Sequence, residues 1–280
     1  MAVRTLDLMF RGLNELRYHR TEKRIRAWLG DAPVVDTFKA VLVWEPKRIS
    51  PSYAVPSADI SAELMRSISS GAAAVEPTTV MGGPPVLTPE HRFAVHTAPG
   101  EVLDVAAGEQ SAEGAAFRPE DPDLDGYVIL DFDAFVWREE EDEIISHARD
   151  PFHRIDVRHS SRQVHVEAGG AVLAESSRPV LVFETGLPVR FYLPPEDVRT
   201  DLLASSPTQT TCAYKGRASY WSADLGNGPV DIAWFYPDPL PEAVELTGLI
   251  AFFDEHTDVT VDGVRRERPD TPWARRSSPS

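Results

Sequence analysis

Ile25–Glu45, reading IRAWLGDAPVVDTFKAVLVWE, and Val164–Glu184, reading VHVEAGGAVLAESSRPVLVFE, repeat one pattern at a shift of 139 positions. Identities fall at Gly30/Gly169, Ala32/Ala171, Val41/Val180, Leu42/Leu181, Val43/Val182 and Glu45/Glu184, and Asp36/Glu175, Thr37/Ser176, Lys39/Arg178 and Trp44/Phe183 keep their chemical type. The alignment continues through Tyr53/Tyr192 and, after a one-residue slip, sets Pro56-Ser-Ala-Asp59-Ile60 over Pro194-Pro-Glu-Asp197-Val198. Ala115-Ala-Phe-Arg-Pro119 echoes Ala233-Trp-Phe-Tyr-Pro237, and Gly126-Tyr-Val-Ile echoes Gly248-Leu-Ile-Ala. Self-similarity on this scale is the signature of a duplicated structural unit. The expected organisation is a helical segment at 1–17, one domain at 18–150, its copy at 151–265 and a flexible tail at 266–280.

Within each copy the signal is for strands. Short β-branched and apolar runs at Gln163–Glu167, Ala171–Glu175, Pro179–Phe183 and Asp231–Tyr236 are broken by Gly, Pro and Asp. Gly169-Gly170 supplies the positive φ of a hairpin turn, and the unalternating Pro179–Phe183 reads as a strand covered on both faces. Helix is scarce. Thr5–Leu16, with Leu6, Met9, Phe10, Leu13 and Leu16, has amphipathic spacing, and the run from Pro194 to Leu203 reads as one short helix begun by proline. Gly71–Pro89 and Ala106–Pro119, rich in Ala, Gly and Pro, read as long loops. The class is mainly β, of antiparallel sheets with few short helices.

The chain has 280 residues, 42% apolar, which is enough to bury a core, and 44 acidic against 28 basic residues give a net charge of −16. That balance argues against unaided binding to a nucleic acid polymer or an anionic membrane. One cysteine, Cys212, excludes an intrachain disulfide and any zinc site of several thiolates. The opening MAVRTLDLMF lacks a long apolar run, so a cytoplasmic location is expected.

Thr211-Cys-Ala-Tyr-Lys-Gly-Arg-Ala-Ser-Tyr-Trp221, Ala233-Trp-Phe-Tyr-Pro-Asp-Pro239, Phe183-Glu-Thr-Gly-Leu-Pro188 and Tyr192-Leu-Pro194 together resemble the signature of the domain of unknown function 427 family of bacteria and fungi. The resemblance covers the second half nearly end to end and the first half only through the repeat. It implies a β-tent fold, two antiparallel sheets pinned at one edge, in tandem with a degenerate first copy. The family also carries a nucleotidyltransferase label. Related β-tent proteins commonly bind zinc through four cysteines. This chain has one cysteine and departs from them, so no metal or other cofactor is expected, and it has Ala213 where the family usually has proline.

Cys212, Tyr214, Lys215, Tyr220, Trp221, Trp234 and Tyr236 gather a thiol, an amine and five aromatics in two short segments. Aromatic rings offer contact area and a face for a cation or planar ring, while a lysine and phenols fix orientation, which is the composition of a ligand pocket. The same residues also suit a β-sheet core whose polar tips reach the surface. Lysine occurs only at Lys23, Lys39, Lys47 and Lys215, which marks Lys215 as chosen for its amine. The alignment puts Ala116 and Arg118 where the second copy has Trp234 and Tyr236, so the pocket is expected in the second copy alone.

Other motifs carry less. Cys212 is a nucleophile only if its thiolate is stabilised, and a lone strand cysteine is more often an inert hydrophobe. Glu184, paired in the repeat with Glu45, reads as a structural glutamate that receives backbone amides. Asp121-Pro-Asp-Leu-Asp-Gly126 opens like a calcium loop but has Phe132 at position twelve. Asp131-Phe-Asp133 has the alternate spacing that holds magnesium on a strand. Glu139–Glu143 is a solvated acidic run, and His153, His159 and His165 read as scattered rather than as a metal set. Three functions stay open: a small-molecule binding module in the second domain, a nucleotidyltransferase-type or other enzyme, and a protein-interaction module.

Overall fold

The computed structural model describes residues 2–3, 5–68, 77–79, 83–224, 226 and 228–275, with residues 6, 9 and 275 described in their backbone only. The chain divides into two compact units, residues 1–78 with 84–150 and residues 79–83 with 151–280. In the N-terminal unit the strands are β1 (Arg17–Arg20), β2 (Ile25–Leu29), β3 (Ala32–Thr37), β4 (Val41–Trp44), β5 (Ser52–Pro56), β6 (Glu63–Arg66), β7 (Gly100–Ala107), β8 (Gln110–Pro119), β9 (Tyr127–Leu130), β10 (Val136–Glu139) and β11 (Asp142–Ile144). The C-terminal unit has β12 (Ile155–His159), β13 (Val164–Ala168), β14 (Ala171–Ser176), β15 (Val180–Glu184), β16 (Arg190–Leu193), β17 (Ala204–Cys212), β18 (Gly216–Asp224), β19 (Pro229–Phe235), β20 (Ile250–Phe252), β21 (Asp258–Val261) and β22 (Val264–Arg265).

A seven-stranded sheet runs β1-β4-β5-β9-β8-β7-β6 in the first unit and β12-β15-β16-β20-β19-β18-β17 in the second. A four-stranded sheet runs β11-β10-β2-β3 in the first and β22-β21-β13-β14 in the second. The strand order is therefore the same in both units, and the pairing is antiparallel throughout these sheets. Local details agree as well. Thr37 Oγ1 donates to Asp59 and Ser176 Oγ to Asp197, each at 2.7 Å, beside the bridges Val35–Ile60 and Ala174–Val198.

Strand pairing also sets the register between the two halves, which alignment of the bare sequence misplaces by one residue at two points. Val41 pairs with Ala54 as Val180 pairs with Tyr192, so Ala54, not Tyr53, stands where Tyr192 does. Ala54 then pairs with Ile129 and Tyr192 with Ala251, and Ile129 pairs with Phe117 as Ala251 pairs with Trp234. Phe117, not Ala116, thus takes the place of Trp234, and a ring is present there in both units. A one-residue slip reverses the face of every side chain, so this correction decides which residues are buried together.

Each seven-stranded sheet is apolar on both faces. In the C-terminal unit, Val164, Val166, Leu173, Leu181, Phe191, Leu193, Ile232, Phe252 and Val259 join the two sheets in one core. The opposite face of the larger sheet carries Val180, Val182, Tyr192, Trp234, Tyr236 and Ala251, covered by Ala243 and Leu246 of the 3₁₀ turn Pro241–Leu246. β15 is accordingly buried on both faces from Val180 to Val182. Gly169 and Gly170 turn the β13–β14 hairpin at φ +56° and +81°.

Several sequence expectations are replaced. Ala106–Pro119 is not a loop: most of it is β8, a ten-residue strand whose Ala115, Ala116 and Phe117 are buried, with a bulge at Gly114 (φ +61°) capped by Asp104. The expected loop Gly71–Pro89 falls partly on residues 71–76 and 80–82, outside the described residues. The amphipathic N-terminal run is helical only over Thr5–Arg11, then tightens to a 3₁₀ turn at Gly12–Asn14. The proline-led helix is two 3₁₀ turns, Pro195–Asp197 and Thr200–Leu202, because Val198 between them is extended and bridges Ala174. Asp131 and Asp133 follow β9 in a turn, where the Asp131 carboxylate accepts the Asp133 amide at 3.1 Å, rather than alternating along a strand. The tail is packed as far as Trp273, with Thr271 buried and the backbone of Pro272–Arg275 in a 3₁₀ turn; 276–280 lie outside the described residues. Among the described residues no helix is long and apolar enough to cross a membrane.

Candidate functional site

Lys215 sits in the three-residue turn Ala213–Lys215 between β17 and β18. The turn closes at Gly216, which adopts φ +100° and bridges Pro239, while the Lys215 carbonyl accepts the Leu240 amide at 3.1 Å. A side chain at Gly216 would meet the Asp238 carbonyl oxygen at 3.2 Å, so glycine is required for this close approach as well as for the positive φ. The turn thereby holds Lys215 inward, at 7% exposure.

Its Nζ is hydrogen-bonded to Glu184 Oε2 at the end of β15, and Glu184 Oε1 takes a second bond from His153 Nε2 at 3.0 Å. His153 also stacks on the Tyr214 ring, 4.3 Å between centroids at 17°. Burial works to raise the Glu184 carboxyl, but the Lys215 ammonium and His153 outweigh it and hold it at about 2. Burial likewise works to lower the Lys215 amine, and Glu184, Cys212 and Tyr192 outweigh it and hold it above its ordinary value. The pair is ionised at any physiological pH.

Tyr192 and Trp234 stand beside it. The Trp234 indole N–H donates to the Tyr192 hydroxyl at 3.0 Å, and burial, with Glu184 and Cys212 adding to it, pushes the Tyr192 phenol up to about 12. Tyr236 is buried and its phenol is raised well above the usual range by that burial. Trp234 packs against Phe253 at 4.5 Å, Phe253 stacks with Tyr220 at 6.1 Å, and the Arg190 guanidinium carbon lies 5.5 Å from the Trp234 ring centroid. Tyr220 shares a hydroxyl hydrogen bond with Thr210 at 2.7 Å.

Of the seven residues singled out from sequence, the fold brings Tyr220, Trp234 and Tyr236 to the outer layer of the large sheet, and sets Tyr214 and Lys215 in the turn against His153 and Glu184, with half-buried Cys212 at the end of β17. Trp221 is elsewhere. Strand alternation turns it to the opposite face, where it packs against Phe235 at 5.9 Å within the inter-sheet core. Glu184 receives the Lys215 ammonium and the His153 imidazole here, whereas its counterpart Glu45 receives the Thr97 and Ala98 amides at 2.8 and 3.2 Å and the His96 imidazole at 3.1 Å, with the Arg48 guanidinium 3.8 Å away. His153, read from sequence as one of three scattered histidines, joins the site because the fold brings it to Glu184, 31 positions away. His159 and His165 pair separately with Glu245 and Glu175. Among the described residues no group of three or more His, Cys, Asp or Glu has the arrangement of a metal site.

No curated protein matches the chain. Residues 156–263, which hold all of this network except His153, match the model of a family described as a domain of unknown function (DUF427).

Proposed function

We propose that the C-terminal unit is a small-molecule binding module centred on the Lys215–Glu184 pair. Tyr214, Tyr220, Trp234 and Tyr236 supply aromatic contact, and Cys212 and His153 form its partly exposed margin. The observation that carries this reading is a lysine and a glutamate paired with each other, each side chain 9% exposed, with His153 on the glutamate and the Tyr214 ring stacked on His153. A buried ion pair adds little stability over well-packed apolar residues, so such a pair fits recognition better than folding. The held protonation states favour binding over covalent chemistry: a lysine kept as ammonium is no nucleophile, and a glutamate kept at about 2 is no proton donor at neutral pH.

The two units are, in this reading, copies of one domain, supported by their identical strand order and matching side-chain bridges. The N-terminal copy is degenerate at the site, since its own segment His96–Ala98 fills the hydrogen-bonding capacity of Glu45.

Thermal unfolding of the full chain with ATP, GTP and a panel of metabolites, with and without magnesium, tests the module against a Lys215→Met variant. A ligand at a hundredfold excess over Kd adds about 2.7 kcal/mol of stability. A shift present in the unaltered protein and absent in the variant is the expected result; a shift of equal size in both, or none with any compound, refutes the reading.

A further inference from the structure

Beyond Arg266 the chain leaves the sheet ladder. Arg266 donates its amide to the Val259 carbonyl at 2.8 Å, and Pro269 and Pro272 remove two amide donors from the run that follows. The segment is held instead by a row of side chains. The Arg266 guanidinium lies over the Phe191 ring at 5.1 Å, Arg268 Nη2 donates to Asp258 at 3.0 Å, Thr271 Oγ1 donates to Glu255 Oε1 at 2.5 Å, and the Trp273 ring meets the Arg190 guanidinium at 5.8 Å. Thr271 is 1% exposed, so this is a seated contact and not a surface graze.

The surface beneath is prepared without help from the segment. Arg190 forks onto Glu255 at 2.9 and 2.6 Å, has Asp254 at 3.6 Å, and also lies over Trp234. A segment anchored by side chains rather than by a ladder opens at lower free energy than the strands it covers.

We propose that residues 266–275 are a releasable latch, an intramolecular ligand seated in a cleft of the C-terminal unit formed by Arg190, Phe191, Glu255 and Asp258. Once the latch lifts, the cleft takes a peptide with a hydroxyl two residues ahead of an aromatic ring, as in Thr271-Pro272-Trp273. Glu255 accepts the hydroxyl hydrogen, the Arg190 cation receives the ring face, and Asp258 receives a cationic side chain further back. This cleft is distinct from the Lys215–Glu184 pair and needs no ligand there.

The test uses the full chain carrying Thr271→Val and Trp273→Ala, with its unfolding transition checked, and a fluorescein-labelled peptide of residues 266–275 followed by anisotropy. The opened chain is expected to bind the peptide roughly tenfold or more tightly than the unaltered chain, and a peptide with the same two substitutions is expected not to compete. Equal affinity for both chains overturns the proposal. Should the double variant fail to fold, hydrogen exchange in the unaltered chain decides. The hydrogen-bonded amide of Ala274 is expected to exchange at least roughly tenfold faster than those of His165 and Thr260, which pair across β13 and β21, and protection equal to that of these strands rules out a latch.

Discussion

Replacing Lys215 by methionine keeps an apolar stem of similar length and removes the charge opposite Glu184, whose side chain is 9% exposed. Breaking a buried pair from one side costs about 3–5 kcal/mol, because the remaining charge loses its partner. Lys215→Met is therefore expected to destabilise by that amount, and adding Glu184→Gln to recover part of the loss, in a double-mutant cycle followed by urea unfolding. The pair's own pH dependence is remote from neutrality. Glu184 is depressed to about 2, so its contribution is present above its unfolded value and lost only as pH falls towards 2. Asp254 behaves oppositely. Burial, with Glu255 adding to it, raises its carboxyl to about 6 despite Arg190 and Arg266, and its Oδ2 has no hydrogen-bond partner. The folded state then binds more protons than the unfolded chain between about 4 and 6, so stability falls as pH rises through that window. Asp254→Asn is expected to flatten this slope and to stabilise the protein at pH 8 by about 1–3 kcal/mol, measured as urea unfolding across pH 4–8. The sequence made Lys215 legible by its rarity and its flanking Tyr214 and Gly216. It left Arg190 unmarked and gave His153 no role, since each acquires its role only from a carboxylate placed by tertiary pairing.

The turn that aims Lys215 inward depends on Gly216. Gly216→Ala puts a side chain at φ +100° and within 3.2 Å of the Asp238 carbonyl, with an expected cost of about 1–3 kcal/mol in chemical denaturation. Substitution of Gly170, which has open space around it, is expected to cost less and serves as the comparison. At this scale legibility followed side-chain type. β15 announces itself by Val180-Leu-Val182, and β13 and β14 by β-branched residues around two glycines. β8 does not, because Ala112, Ala115 and Ala116 carry no strand preference and are held extended only by β7 and β9 on either side. The run after Pro194 misleads in the opposite sense: it starts like a helix, but the bridge from Val198 to Ala174 keeps that residue extended.

Each unit buries its own core between a seven-stranded and a four-stranded sheet, which is what an independently folding domain requires. Residues 151–275 expressed alone are expected to unfold in one cooperative transition with native-like near-ultraviolet circular dichroism from Trp221, Trp234 and Trp273; a compact state lacking that signal would refute independence. The likeness of the two units was readable because their corresponding strands keep one apolar pattern. Its exact register was not, since only hydrogen-bonded partners fix a period-two alignment to one residue, as Phe117 and Trp234 demonstrate. The smaller sheet of each unit draws its strands from both ends of that unit, β2 with β10 and β13 with β21. On a ribosome the β13–β14 hairpin emerges first and then waits, marginal by itself, until Val261 has been polymerised. At synthesis rates of about 5–20 residues per second, the stretch between the two partners imposes a delay of roughly 5–20 seconds. For that interval the apolar face formed by Val164 and Val166 has no sheet to meet, which places the greatest exposure to misassembly late in translation of each unit.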